Sequence, residues 1–366
     1  MAMHSVALRR RRWTGAALVA ASLTLAFPAA ASPAAAVSAG GLPAAAVPVM
    51  GGDRLTVGGP GVLVDLKGAG SVTFDVSAGR RLTVLAQRRT LTAADNTDLV
   101  IRRGGTRVAE GTLITTWSSV SLDFTAPAAG TYTVDIRPRA ADRGTVLLSL
   151  AGAATGSLSP RGPAHLVTIA RPGERAFLTF AATSGQRLTL VARRGTISQD
   201  EYTNLEVRGP SGGVATAGAV GYEADHRTLD FDVTETGTHT VEVNPDTDRT
   251  GTLTLQLAGT VTARLTPGRP TSLRLAQAGE RAFVTFTAAE SEQFRLTIRR
   301  GTLTTAEPTR LRVRTPIGLD VVHAELNATR PSAVLAFSAS AGTYTVEIDP
   351  DGLDAGTLTL DLRKTP

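Results

Sequence analysis

The segment Gly342-Thr343-Tyr344-Thr345-Val346-Glu347-Ile348-Asp349-Pro350 decides the fold, together with Gly356-Thr357-Leu358-Thr359-Leu360-Asp361-Leu362, which follows after a short acidic loop. In both segments apolar residues alternate with polar ones at a period of two. Alternation of this kind places every second side chain on the same face of a β-strand. The two segments therefore predict a β-hairpin with one face turned towards a core.

The same hairpin occurs twice more, from Gly237 to Leu257 and from Gly130 to Leu150. Phenylalanines recur at a constant spacing of 106 residues, at Phe74, Phe180 and Phe286. The segment 171–177 also matches 277–283, both carrying Gly-Glu-Arg-Ala-Phe, whereas the first copy is looser here. These matches predict three copies of one unit, over residues 51–152, 153–259 and 260–366.

Short alternating segments predict eight strands in the second unit, near 165–170, 176–182, 187–193, 203–208, 214–217, 228–233, 238–244 and 251–257. Turn residues separate them at the spacing typical of antiparallel sandwiches. We therefore expect an all-β protein of three tandem antiparallel β-sandwich domains of jelly-roll type. The period is too long for a solenoid, so each unit is expected to have its own core and to be joined to the next as beads on short linkers.

The N-terminal segment has the parts of a secretory signal peptide over residues 1–31. Arg9 to Arg12 precede an apolar run that is too short to span a bilayer, and small residues follow it. Residues 32–50 are predicted to be a flexible Ala/Pro leader. We expect a secreted, extracellular or cell-surface protein with no stable membrane insertion after signal cleavage; Sec and twin-arginine export both remain open.

Composition narrows the class of partner. The net charge is +6, and removal of Arg9 to Arg12 leaves +2, so there is no global basic field for nucleic acid. Aromatic residues, on which bases could stack, make up 4% of the chain. The chain contains no cysteine, which excludes disulfides and thiol chemistry. The expected partners are therefore a cell-wall polymer or an extracellular protein, and not nucleic acid.

The order of elements resembles that of the bacterial pre-peptidase C-terminal domains. The best match is Phe124-Thr125-Ala126-Pro127-Ala128-Ala129-Gly130-Thr131-Tyr132-Thr133-Val134, and the likeness extends over all three units. The resemblance implies jelly-roll-like sandwiches found on secreted enzymes and in surface proteins. It also implies that some such modules bind calcium or protein polymers, usually beside a catalytic domain.

Calcium is a candidate ligand, although no cofactor is expected to be required. Carboxylates cluster in loops that precede or connect strands, where hard cations find oxygen ligands. The candidate ligands are Asp95, Asp98, Asp246, Asp248, Asp349, Asp351 and Asp354. Asp, Pro and Gly are also ordinary turn residues, so solvated turns are the alternative interpretation.

Arginine pairs end one strand of each unit, at Arg88 and Arg89, at Arg193 and Arg194, and at Arg299 and Arg300. Three such pairs could bind an anionic wall polymer through several weak contacts. The alternative is that each pair is divided between the two faces of its strand and forms local ion pairs.

Motifs of catalysis are missing from the sequence, so no enzyme is expected. His239 occupies the inward hairpin position of Tyr132 and Tyr344 and is expected to be a half-buried core residue. The sequence thus predicts a secreted, non-catalytic binding or spacer protein of the extracellular space or cell envelope. The alternative is a calcium-stabilised accessory module that works with a secreted hydrolase on another chain.

Overall fold

The computed structural model describes residues 49–50, 54–139, 142–222, 224–245, 248–304, 307–350 and 352–366. The predicted signal peptide and, apart from Val49–Met50, the predicted leader lie outside these residues. All of the strands belong to one compact unit, Pro43–Pro366. The described part of the chain contains no helix, and therefore none long and apolar enough to cross a membrane.

The strands are β1 (Val49–Met50), β2 (Val62–Leu66), β3 (Gly70–Val76), β4 (Arg81–Arg88), β5 (Thr97–Arg103), β6 (Thr106–Leu113), β7 (Ser119–Thr125), β8 (Gly130–Pro138), β9 (Gly144–Gly152), β10 (Ala154–Ser157), β11 (His165–Ile169), β12 (Ala176–Ala182), β13 (Arg187–Arg194), β14 (Thr203–Arg208), β15 (Val214–Val220), β16 (His226–Asp232), β17 (Gly237–Pro245), β18 (Gly251–Ala258), β19 (Thr260–Arg264), β20 (Thr271–Leu275), β21 (Arg281–Ala288), β22 (Glu292–Arg300), β23 (Thr309–Arg314), β24 (Asp320–Leu326), β25 (Ser332–Ala339), β26 (Gly342–Pro350) and β27 (Gly356–Thr365).

Each repeat is built from two antiparallel sheets with the same strand order. In the second repeat one sheet has the order β11-β18-β13-β16 and the other β12-β17-β14-β15. The first and third repeats reproduce this as β2-β9-β4-β7 with β3-β8-β5-β6, and as β20-β27-β22-β25 with β21-β26-β23-β24. We call the sheet that contains β4, β13 or β22 the front sheet of its repeat, and the other the back sheet.

The inward side chains of both sheets form one apolar cluster in each repeat. Phe74, Phe180 and Phe286 lie at the same place in the three cores and stack on Tyr132, His239 and Tyr344. The alternation read from the sequence is thus the inward and outward alternation of a sandwich. The prediction of an all-β fold of tandem antiparallel β-sandwiches is confirmed.

The strand positions of the second repeat agree with the predicted segments, apart from ends that differ by a few residues. The structure adds one short strand, β10, which pairs in parallel with β12, and its counterpart β19 pairs in parallel with β21. The segment Ala154–Ser157 is too short and too rich in small residues to show a period. Both added strands continue directly from the preceding repeat and extend the back sheet of the next one.

The expectation of beads on short linkers needs a correction. The three cores are separate, but the outer face of the front sheet is covered in the first two repeats. Leu85 and Val191 point outward from β4 and β13 and are nevertheless fully buried, whereas Thr297 at the same place in β22 is partly exposed. Residues of the following repeat cover them, so neighbouring repeats pack directly against each other.

Candidate functional sites

The predicted arginines lie where the front sheet meets the loops at one end of each repeat. The ladders place Arg88, Arg194 and Arg300 at equivalent positions, opposite Val146, Leu253 and Leu358. Arg89 is therefore equivalent to Gly195 and Gly301, and not to another arginine, while Arg193 and Arg299 are equivalent to Gln87. The recurrent feature is a single arginine, and the three pairs do not coincide in register.

This recurrent arginine joins two loops. The backbone N–H of Arg88, Arg194 and Arg300 donates to Ser118, Asp225 and Pro331 respectively, at 2.7, 2.7 and 2.9 Å. The guanidinium of Arg88 donates to the carbonyls of Thr92 and Ile114 at 2.7 and 3.2 Å. In the second repeat the guanidinium of Arg194 pairs with Asp225 and donates to Gln199. Arg88 and Arg194 thus hold the loops of their repeats together.

The carboxylates of the first repeat have protein partners. Arg139 donates two hydrogen bonds of 2.9 Å to Asp98, and these bonds lower the pKa of that carboxyl. The backbone N–H groups of Ala94 and Asp95 donate to the buried Asp142, and the hydroxyl of Thr92 also donates to it. The pKa of Asp142 is lowered, first by the Thr92 hydrogen bond. Asp142, which the sequence analysis missed, therefore anchors the loop that carries Asp95.

The remaining calcium candidates do not converge. Asp246 and Asp351 lie outside the described residues. Asp248 lies beside Arg249, and the buried Asp354 accepts a hydrogen bond from the backbone of Glu307. No group of three or more His, Cys, Asp or Glu side chains that could hold a metal ion occurs among the residues that the structure describes.

Asp349 lies between the second and third repeats. It lines a pocket of about 330 Å³ with Asp230 of β16 and Arg310 of β23. Burial, and then the negative charge of Asp230, raise the pKa of Asp349 from 3.8 to about 6. Asp349 therefore belongs to the contact between the second and third repeats.

Two further aromatic features stand out. His239 is buried, more completely than expected, and its ring stacks on Phe180 with 5.1 Å between centroids. Tyr202 and Tyr222 are exposed at the loop end of the second repeat and stack on each other, with 5.4 Å between centroids. Trp117 is exposed in the equivalent loop of the first repeat, and the third repeat has Asn327 to Pro331 there.

The contact between repeats is the feature that recurs most closely. In the first junction, the guanidinium of Arg81 in β4 lies 4.2 Å from the ring centroid of Phe177 in β12. In the second junction, Arg187 in β13 lies 4.3 Å from Phe283 in β21. A cation over an aromatic face at this distance is attracted by the ring quadrupole. Both pairs occupy equivalent ladder positions, so the two junctions use the same geometry.

An ion-pair network lies beside each cation–π contact. In the first junction Arg175 pairs across the joint with Asp123 and within its own repeat with Glu242, the latter at 2.6 Å. The hydroxyl of Thr83 donates to the other oxygen of Asp123 at 2.6 Å. Arg175 thus has two carboxylate partners and Asp123 has a cation and a hydroxyl donor, which makes the pairing compatible with partial burial.

The second junction repeats this network with equivalent residues. Arg281 pairs with Asp230 at 3.2 Å and with Glu347 at 3.9 Å, and Thr189 donates to Asp230 at 2.6 Å. Arg314 adds a contact of 2.9 Å to Glu347. Arg281 and Glu347 are both buried, although neither lies in an apolar core.

A glycine allows the close approach of the repeats in both junctions. Gly173 has φ +77°, and a Cβ there would lie 3.1 Å from Cβ of Leu85. Gly279 has φ +76°, and a Cβ there would lie 2.4 Å from Cγ2 of Val191. Only glycine adopts this backbone conformation readily and fits against the neighbouring sheet.

The sequence held two signals for these junctions. The matching segments 171–177 and 277–283 contain the glycine, arginine and phenylalanine of each junction. Their match predicted the repeat but not the contact between repeats. The second signal is that alternation fails in β4 and β13, where Leu85 and Val191 are apolar on the outward face. Buried outward positions of this kind indicate a second layer on the sheet.

No protein family model matches the chain. No curated protein matches it either. Among solved structures, the pre-peptidase C-terminal domain of a collagenase from Bacillus anthracis is 12% identical, with 28% of this chain and 94% of that chain covered and a TM-score of 0.25. The g-type lysozyme inhibitor PliG from Aeromonas hydrophila is 11% identical, with 28% and 97% covered and a TM-score of 0.22.

A third similar structure is the M60 catalytic domain with two CBM51 domains of ZmpB from Clostridium perfringens. It is 6% identical, with 84% of this chain and 34% of that chain covered and a TM-score of 0.18. The match to the B. anthracis domain and the match to PliG each cover about the length of one repeat. None of the three assigns a family to the chain, so the pre-peptidase likeness stays a resemblance.

Proposed function

We propose that this protein is a secreted, non-catalytic spacer and binding array of the extracellular space or cell envelope. The observation that carries the proposal is the recurrence of one junction. Arg81, Phe177 and Arg175 are matched by Arg187, Phe283 and Arg281. Two joints built from equivalent residues hold consecutive repeats in the same relation, which is what a spacer of defined length requires.

The contacts also explain how such an array keeps its geometry without disulfides. Each junction combines a cation–π contact, a shared ion-pair network and apolar burial of Leu85 or Val191. Interfaces between domains of one chain otherwise permit relative motion as the default. A glycine at each joint lets the two surfaces approach closely enough to exclude water.

Distance measurements between repeats test this proposal. Because the chain has no cysteine, pairs of introduced cysteines on neighbouring repeats can carry spin labels without background. We expect one narrow distance distribution for each joint, and a broad one after Arg175→Ala and Arg281→Ala together. Arg107→Ala, which removes an exposed ion pair of the first repeat, is the control and should change nothing. Broad distance distributions in the unmodified protein would contradict the proposed spacer function.

The alternative is a calcium-stabilised accessory module for a hydrolase on another chain. A calcium titration distinguishes it from the spacer. Binding to the folded state alone raises the melting temperature as calcium increases. We expect equal melting temperatures in calcium and in chelator, because Asp98 already pairs with Arg139 and Asp142 with backbone donors. A calcium-dependent rise would favour the alternative. A panel of hydrolase substrates checks the absence of catalysis.

A further inference from the structure

The front sheet of the third repeat is exposed on the face that the first two repeats use for their junctions. Its outward residues differ from theirs at the centre of the contact. Arg295 stands where the second repeat has Thr189, and Arg363 stands where it has Ala258. Ala336 replaces Asp230, the carboxylate that receives the arginine of the next repeat. The residues that hold a following repeat are therefore absent from this face, and positive charge is present instead.

The outward side of this sheet carries four arginines and one carboxylate among the described residues of β20, β22, β25 and β27. The arginines are Arg274, Arg295, Arg299 and Arg363, and all four are exposed. Asp361 is the carboxylate, and it pairs with Nε of Arg363 at 3.0 Å. The guanidinium groups of the other three arginines form no hydrogen bond or ion pair with described residues, so the face has an excess of positive charge.

Two of these arginines are directly opposite each other. Arg295 and Arg363 are partners in the antiparallel ladder between β22 and β27. Side chains at such positions start about 5 Å apart, and like charges there are destabilising. Asp361 offsets part of this repulsion at Arg363, and the arginine pair lies on the two central strands of an exposed sheet, where the other repeats have threonine and alanine. Such a cost is relieved when an anion binds between the two guanidinium groups.

We propose that this face, formed by Arg274, Arg295, Arg299 and Arg363, binds a cell-surface polymer with a phosphate-containing backbone. The proposal rests on the proposed function, because it makes this face the attachment surface of the spacer. Arg299 belongs to one of the arginine pairs predicted from the sequence, whereas Arg274, Arg295 and Arg363 lie outside those pairs.

The geometry favours phosphate over carboxylate. A single arginine fork already satisfies both oxygens of a carboxylate. The two non-bridging oxygens of a backbone phosphate are arranged tetrahedrally rather than in the plane of one fork, so one can receive N–H groups from Arg295 and the other from Arg363. Arg299 lies four residues from Arg295 along the same strand, so its side chain lies on the same face at a distance of about 13 Å. A chain with repeated phosphates can reach both places at once, which strengthens weak individual contacts.

Nucleic acid is the less favoured phosphate polymer for this face. Single strands are usually bound by aromatic side chains that stack on bases, and no outward residue of these four strands is aromatic. A flat sheet face of this kind also offers no helix or ribbon for the major groove.

Binding of long-chain inorganic polyphosphate to the full chain, followed by calorimetry at several salt concentrations, tests the proposal. The informative variant is Arg295→Thr with Arg363→Ala, because it installs the residues that the second repeat carries at these positions. We expect at least a tenfold loss of affinity. We also expect the slope of log K against log salt to become shallower by about 1.5, the contribution of two phosphate contacts.

The matched control is Arg107→Thr with Arg137→Ala, two exposed arginines of the first repeat. It removes the same charge and should leave the affinity within about twofold. An equal loss in this control, or no binding by the unmodified chain, would overturn the proposal. Equal binding of poly-glutamate would overturn the assignment to phosphate, and tighter binding of DNA would assign the face to nucleic acid instead.

The two proposals can fail separately. The variant with Arg295→Thr and Arg363→Ala should keep narrow distances between its repeats, since neither residue contacts another repeat. Loss of polyphosphate binding with unchanged distances supports the binding face. Broad distances in the unmodified chain that still binds polyphosphate would remove the spacer function and leave the binding face in place.

Discussion

The two junctions share a cation–π pair, an ion-pair network and a glycine, but they differ in the charges that surround these contacts. In the second junction, Asp349 and Arg310 face each other in the ladder between β26 and β23. The equivalent pair of the first junction is Asn244 and Asn204. His226, next to Gly352 of the third repeat, takes the place of Ser119. One joint is therefore built with neutral amides where the other has ionisable groups.

This difference separates the contacts that hold the repeats together from charges that are present in one junction only. The cation–π pair, the shared ion-pair network and the glycine are common to both joints, and we infer that they hold the repeats together. The charges of Asp349 and Arg310, and that of Arg227 in the same pocket, are found only in the second junction, where Asp349 also lies within the field of Asp230, Glu347 and Arg281. At neutral pH the second junction should therefore carry a repulsive term that the first lacks.

Removal of the buried arginine should have the largest effect. Arg281→Ala leaves Asp230 without its cross-joint partner and takes one of two arginines away from the buried Glu347, and the expected cost is about 3 kcal/mol. Arg175→Ala should cost less, about 2 kcal/mol, because its side chain is 20% exposed and that of Arg281 10%. Urea denaturation of the full chain measures both. Equal losses would show that burial does not distinguish the two joints.

Substitution of the junction glycines should follow in size. Gly279→Ala forces alanine into the left-handed region and against Val191, at an expected cost of about 2 kcal/mol. Gly173→Ala has the same backbone strain but a contact of 3.1 Å, so about 1 kcal/mol is expected. The distances between spin labels on neighbouring repeats check whether each joint opens. A broader distribution at the first joint than at the second would reverse the expected order.

Asp349 gives the second junction a pH dependence of its own. Because the folded pKa of Asp349 is raised to about 6 from 3.8, ionisation of this group opposes folding. The penalty is absent below pH 4, grows between pH 4 and 6, and is complete above 6. Asp349→Asn, the residue type found at the first junction, should stabilise the chain by about 1.5 kcal/mol at pH 7.5.

The same variant should be nearly neutral at about pH 3, where Asp349 is largely protonated in both the folded and the unfolded state. Denaturation curves of the variant and the unmodified chain at the two pH values give the difference directly, and the other titrating groups cancel. Asn244→Asp is the reciprocal change and should introduce the penalty into the first junction. A constant difference at both pH values would remove Asp349 as its source.

The cation–π contacts should have the smallest effect and the same one in both joints. Arg81→Ala and Arg187→Ala each remove a guanidinium from a phenylalanine ring at nearly equal distances. A cost of about 0.5–1 kcal/mol is expected for each. Thermal unfolding of the two variants measures the loss of stability in each joint. Unequal losses would show that the two joints differ even in the contacts that they share.

Much of the fold could be predicted from local pattern, because a strand with one buried face carries its period in a few consecutive residues. The strands of the second repeat and the stacked Phe180 and His239 follow from that period and from the repeat spacing. β10 could not be predicted, since four small residues show no period. The candidate sites were predicted less well. The buried role of Asp142 depends on a loop almost 50 residues away in sequence.

The sequence by itself determined that the chain is three β-sandwich repeats, and which side of each strand faces a core. Tertiary structure alone decided what the outward side does. In the first two repeats it meets the next repeat through Arg175 and Arg281, while in the third it presents Arg295 and Arg363. The physical reason is that alternation is a property of neighbouring residues, whereas these contacts join residues brought together only when the strands pair and the repeats pack.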